Sequence, residues 1–282
     1  MLKKLKRNIQ LVLTYLSRFI FSNFFYFVWL NFYEERLINK NKAKLKNLKK
    51  DITGKNVLII GSGSTNHDLD EIIKNDKYQV ILFINHSIKL TKTIFQYNCR
   101  NKLFIWFTGD YGRYKEILNY QKKYLKRVNF LILSGLLPWY YPLNIKLFKS
   151  KFTYIPPSNI FFRKVLESKR IGEFIPKVID ANIYSFQNIT NAIDIFLNSN
   201  NEKLPIIPHS SFFGALLLMA QNNAKSISYL GCDLTGYYAN DLNFKGVFKV
   251  DNDTYPNIND VRNYIEESIQ SKKIKIKNLN LN

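Results

Sequence analysis

Five short polar clusters carry the residue types that could do chemistry in this chain, and each borders an apolar run. Gly61-Ser62-Gly63-Ser64 follows Asn56-Val57-Leu58-Ile59-Ile60, Asn85 follows Val80–Ile84, and Thr108 follows Leu103–Phe107. His209-Ser210-Ser211 opens a run rich in Phe, Leu and Ala. Gly231-Cys232-Asp233 closes Ser226–Leu230, with Tyr237 and Tyr238 just beyond it. A Gly-Ser-Gly-Ser turn lets backbone N–H groups approach a phosphate or a nucleotide. Ser210 or Ser211 can cap a helix whose N-terminus faces an anion. Asp233 with the two phenols adds a carboxylate and hydrogen-bond donors. Each cluster also has a plain reading: a tight glycine turn, an ordinary cap, ordinary loop aromatics. The glycine loop lacks the third glycine of a dinucleotide fingerprint and the Gly-Lys of a P-loop.

The elements that must position these clusters follow from the hydrophobic pattern. The runs at 56–60, 80–84, 103–107, 130–133 and 226–230 are continuously apolar and separated by helical stretches, one of them Tyr114 to Tyr124. That pattern predicts a parallel sheet covered by helices on both faces. Further helices are expected over 188–197, 210–221 and 260–270, a lid over 234–257, and a solvated basic tail at 272–277. In open α/β sheets, ligands bind at the carboxyl ends of the strands, where the polar clusters fall.

The 282 residues carry 42 Lys+Arg against 21 Asp+Glu, a net charge of +21. Two cysteines exclude a disulfide scaffold or a four-cysteine zinc site, and three separated histidines show no metal-ligand spacing. The charge is uneven, with twelve Lys/Arg and only Glu34 and Glu35 in residues 1–50. From Asn8 to Tyr33 only Arg18 is charged among Leu, Phe, Tyr and Trp, and a lysine ladder follows from Arg36 to Lys50. No small-residue cleavage site follows the apolar run, as a signal peptide would require. Arg18 in mid-run and basic flanks on both sides argue against a spanning helix. They predict an interfacial helix, its aromatics at the headgroups and its lysines on anionic lipid, the plainer alternative being an amphipathic helix packed on the domain or on a partner chain. The chain thus divides into a membrane-associated segment, 1–50, and an α/β domain, 51–282. No groove-reading or base-stacking motif interleaves with the charge, so nucleic acid is not the expected partner.

In order and spacing, the run Val57-Leu58-Ile59-Ile60-Gly61-Ser62-Gly63-Ser64, then strand–Asn85, then Ser210-Ser211 with its helix, then Lys225 to Asp233, resembles a known family: the bacterial sialyltransferases of glycosyltransferase family 42. The resemblance covers roughly residues 55–110 and 205–240. It implies a Rossmann-like, GT-A-variant fold, a CMP-sugar donor, a glycan acceptor, and no metal or other cofactor. It further implies that Gly61, Ser62 and Gly63 line the nucleotide, with Ser64 closing the loop. Asn85 and Thr108 would lie near the phosphate and sugar, and Ser210 and Ser211 against the phosphate or the sugar carboxylate. Gly231 and Asp233 would bound the nucleotide pocket, and Tyr237 or Tyr238 would donate to the leaving phosphate. Ser62 stands where the family has asparagine, and Thr235 where its first phosphate-binding tyrosine falls.

An inverting transfer needs a base of pKa near 6–7. The family's base is a lid histidine, and no histidine follows His209 in this chain. His209, beside the serine pair, is the first candidate by elimination, with His86 and Asp233 after it. Asp68-Leu69-Asp70 and Asp251-Asn252-Asp253 fall away from strand ends, which favours metal independence. The expected substrate is CMP-Neu5Ac and the expected location the cytoplasmic face of a bacterial inner membrane. Transfer of another CMP-linked keto-sugar such as Kdo stays open, as do a nicotinamide or ATP enzyme, a non-catalytic nucleotide-sugar-binding protein, and a second copy of the chain as partner.

Overall fold

The computed structural model describes residues 39, 41–63, 69–74, 77–97, 101–109, 114, 116–118, 122–134, 151–155, 186–199, 204–205, 211–232 and 257–280. The segment 1–38, the lid except Asn257, and the site candidates Ser64, His209, Ser210, Asp233, Tyr237 and Tyr238 lie outside the described residues.

Seven parallel strands form one sheet: β1 (Asn56–Ile60), β2 (Val80–Ile84), β3 (Leu103–Thr108), β4 (Phe130–Leu133), β5 (Phe152–Tyr154), β6 (Ser226–Leu230) and β7 (Lys275–Asn278), in the order β5-β4-β3-β2-β1-β6-β7. The first five strands build outward in one direction, and β6 then joins the other side of β1. The order therefore reverses between β1 and β6, where the crevice of an open α/β sheet lies.

The strands are apolar throughout because both faces are covered. Side chains alternate across the pleat. Val57, Ile59, Val80, Leu82, Ile105 and Phe107 join one core layer, whereas Leu58, Ile60, Ile81, Phe83, Phe104 and Trp106 join the other. The first layer packs under helices at 41–52 (α1), Phe186–Asn198 (α5), Ser211–Gln221 (α6) and Ile258–Ser271 (α7). The second packs under Leu69–Lys74 (α2), a 3₁₀ turn at Asn85–Leu90, Thr91–Ile94 (α3) and Lys122–Leu125 (α4). The expected α/β architecture with helices on both faces is present. No helix among the described residues is long and apolar enough to cross a membrane.

Two expectations about the ends of the chain are corrected. The tail at 272–277 is not merely solvated: residues 275–278 form the edge strand β7, with Ile276 against the core and Lys275 and Lys277 exposed. Exposed lysines on an edge strand blunt further pairing, which is why this stretch reads as a polar tail. The lysine ladder, for its part, is a docked helix over its described residues from 41 on. Leu48 and Ile52 of α1 are fully buried, Asn41 Nδ2 donates to Tyr154 O at 3.4 Å and Lys44 Nζ to Phe152 O at 2.7 Å. At 1.5 Å per residue α1 spans about 18 Å, close to the roughly 19 Å across four strand spacings from β5 to β1. The break drawn at 50/51 thus falls inside a helix of the folded domain. Burying Leu48 and Ile52 contributes about 3–6 kcal/mol, so a deletion that tests the N-terminal segment must stop before α1.

Two phenol–carboxylate bonds pin α7: Tyr229 Oη donates to Glu266 Oε1 at 2.6 Å, and Tyr264 Oη to Asp194 Oδ2 at 2.8 Å. Burial, then the neighbouring carboxylate, pushes both phenols above the usual tyrosine value. A raised native pKa of an acid leaves its stabilisation complete below about pH 10 and removes it as pH climbs further. Thermal melts from pH 8 to 11 should fall above about pH 10, and Tyr229→Phe should flatten that limb while lowering the plateau.

Candidate functional site

The site is built by the return of α6. This helix is buried on all sides, from Phe212 through Ala220, because it lies between the sheet and the helices α5 and α7. It runs into β6 through a short turn at Asn222–Lys225, so its first residue, Ser211, lies at the carboxyl edge of the sheet. There it meets the ends of β2 and β3. Ser211 Oγ accepts the Gly109 N–H at 3.0 Å and directs its own proton to Asn85 Oδ1 at 3.4 Å. Thr108 Oγ1 donates to the same Asn85 oxygen at 2.8 Å. The serine hydroxyl thus ties two strand ends together instead of only capping its helix.

Asn85 is the centre of this cluster. Its backbone is left-handed, φ 51°, a conformation that asparagine tolerates better than most residues. Buried Trp106 fixes it further by donating from Nε1 to Asn85 O at 2.9 Å. With Oδ1 accepting two hydroxyls, the amide Nδ2 is the remaining donor, half-buried and without a hydrogen bond to the described residues. Buried Ser87 links β2 to β1, accepting the Ile84 N–H at 2.8 Å and donating to Ile60 O at 2.7 Å.

The second group lies one strand over, at the β1/β6 switch point. Gly61 N donates to Leu230 O at 2.8 Å, Gly63 N to Gly231 O at 2.7 Å, and Gly231 N to Asn280 Oδ1 at 2.8 Å. Two N–H groups of the glycine loop are therefore committed to the β6 loop. Ser62, half-buried between them, forms no hydrogen bond with the described residues and is the loop's open donor. Gly61 is required by space: a Cβ there would sit 2.1 Å from Gly231 O and 2.6 Å from Cys232 Sγ. Gly231 is required by its φ of 65°.

Of the expected site residues, the structure brings Asn85, Thr108 and Ser211 together by hydrogen bonds, and Gly61, Ser62, Gly63 and Gly231 at the adjoining strand ends. His86 is only 1% exposed, its Nε2 3.7 Å from Glu116 Oε2, so it faces protein rather than an incoming hydroxyl. Among the described residues, no three His, Cys, Asp or Glu side chains group to hold a metal ion.

Three contributors escape the sequence reading. Gly109 supplies the N–H that orients Ser211, and its position after Thr108 at a strand end is the one signal that pointed there. Ser87 and Asn280 act through bonds to backbone across 27 and 49 residues, which no local pattern encodes. Neither a protein-family model, nor a curated protein, nor a solved structure matches this chain.

Proposed function

We propose that the carboxyl edge is the donor site of a membrane-associated glycosyltransferase of Rossmann-like, GT-A-variant type. It moves sialic acid from CMP-Neu5Ac to a hydroxyl of a lipooligosaccharide or capsular glycan at the cytoplasmic face of a bacterial inner membrane. The observation that carries this reading is the Asn85 amide. Two hydroxyls on other strand and helix ends hold its oxygen, so Nδ2 is presented as a fixed donor at the sheet edge. Preorganised donors of this kind stabilise charge as it develops, here on the departing CMP phosphate. Ser62 and the residues Ser210, Tyr237 and Tyr238 add further donors on this reading, and Ser64, Gly231 and Asp233 bound the nucleotide.

The reaction is a single inverting displacement. The acceptor oxygen bonds to the anomeric carbon as the bond to the CMP oxygen breaks, and a base takes the acceptor's proton. His209 is that base on this reading, because His86 is buried against Glu116. Hydrolysis of CMP-Neu5Ac in the absence of acceptor, followed as CMP release, tests the activity. Release supports the transferase; binding of CMP with no release supports a non-catalytic nucleotide-sugar-binding protein, and release from CMP-Kdo alone reassigns the sugar. Replacing Tyr237 and Tyr238 together by Phe should cut that release by roughly a hundred- to a thousandfold if they hold the leaving phosphate. An unchanged rate removes them from the site.

A further inference from the structure

The edge opposite the site carries a row of cations. In a parallel sheet every strand starts at the same edge, and in this chain each strand is entered from a lysine. In spatial order these are Lys151, Lys126, Lys102, Lys77, Lys55 and Lys225, and β7 is entered from Lys272 and Lys273. Six strand spacings make the row about 29 Å long. Most of its members are exposed, and the exposed Lys49 and Lys50 at the end of α1 adjoin it. The described turns that lead into the strands hold no carboxylate. Asp51 at the end of α1 is the nearest described acid in sequence, and Asp76 lies outside the described residues.

Part of this charge complements the helix C-termini, which also converge at this edge. Lys151 is one such case, its ammonium on the carbonyl just past α4, whereas Lys102 is not. Each clasps the neighbouring turn, Lys102 Nζ on Tyr78 O at 2.7 Å and Lys151 Nζ on Lys126 O at 2.8 Å, which binds the row into one rim.

We infer that this rim is a docking surface for an anionic lipid bilayer, working with the solvent face of α1. Ammonium groups gathered along one edge suit a plane of phosphate headgroups. Tyr78 and Val128, in the turns between the cations, are buried, so the described residues of the rim offer no stacking platform for bases. In sequence, the stretch 8–33 ahead of α1 is aromatic and apolar. The inference rests on the membrane part of the proposed function and is independent of its nucleotide.

The test is co-sedimentation of the full chain with phosphatidylglycerol vesicles and with phosphatidylcholine vesicles, and its binding to a DNA duplex. The protein should bind the anionic vesicles, release them at high salt, and prefer them to the duplex at equal charge concentration. Each lysine near an anionic surface changes partitioning about fivefold, so the variant Lys55→Gln/Lys77→Gln/Lys126→Gln/Lys225→Gln should lose several hundredfold. The corresponding four Lys→Arg changes should retain binding. If the fourfold Gln variant lacks a melting transition, the pair Lys55→Gln/Lys225→Gln is used, with about a 25-fold loss expected. Unchanged vesicle binding in a folded Gln variant overturns the rim alone. Absence of vesicle binding by the unaltered chain overturns the membrane reading as well, and preference for the duplex assigns the rim to nucleic acid instead.

Discussion

Gly61→Ala should lower the thermal midpoint by roughly 6–12 °C and, on the proposed function, remove CMP binding with it. The reason is the meeting of two strand ends. An added methyl would lie 2.1 Å from the Gly231 carbonyl oxygen, a backbone contact that no side-chain rotation relieves, and 2.6 Å from the buried Cys232 sulfur. Backbone must move apart, and overpacking of a well-filled site costs about 3 kcal/mol. For a domain of this size each kcal/mol moves the midpoint by about 2–4 °C. The displaced carbonyl also accepts the Gly63 N–H, so the loop that carries Ser62 shifts too. Gly54→Ala is the comparison: with φ 71° and open space around it, only the left-handed backbone costs, at about 1–2 kcal/mol. Equal midpoints for the two variants would mean that the β1 and β6 ends do not pack as described.

On the proposed function, Asn85→Asp should weaken CMP binding about 10- to 100-fold and leave the fold intact. Aspartate tolerates the left-handed backbone and still accepts the Thr108 and Ser211 hydroxyls. What changes is the other branch of the side chain, where a donor becomes an anionic acceptor. A lost hydrogen bond to a charged group is worth about 1.5–3 kcal/mol, which sets the factor. Asn85→Gly separates the two uses of this residue, since it keeps the backbone freedom and deletes the amide. Titration of both variants with CMP, beside their melts, reads the outcome. Undiminished affinity in Asn85→Asp would make Asn85 a backbone device only.

These two positions also show how far the sequence was legible. The five long strands and the helices at 186–198, 211–221 and 258–271 announce themselves by apolar runs and amphipathic spacing. β5 and β7 do not: one is three residues long, the other carries two lysines on an edge, and pairing with a distant neighbour defines both. α1 reads as membrane-seeking because its buried positions, Asn41, Leu48 and Ile52, are outnumbered by the lysines on its outer face. Within the site, residue types marked Asn85, Thr108 and Ser211, but their convergence on one amide oxygen follows only from the strand order and the return of α6. Gly61 was expected for a tight turn or for close approach to a phosphate. The packing shows a close approach of a different kind, to the neighbouring strand's loop. Ser87 and Asn280 contribute through backbone carbonyl and N–H groups far along the chain, and side-chain identity alone says nothing of such partners.

The measurement that bears most directly on the central claim is thermal unfolding of the full chain with CMP, CDP, UDP, NAD and ATP, each without added metal. A ligand at a hundredfold excess over its Kd adds about 2.7 kcal/mol, or roughly 5–11 °C here. A donor site for a CMP-sugar predicts that shift with CMP and a smaller one with the others. A shift with NAD or ATP and none with CMP would contradict it.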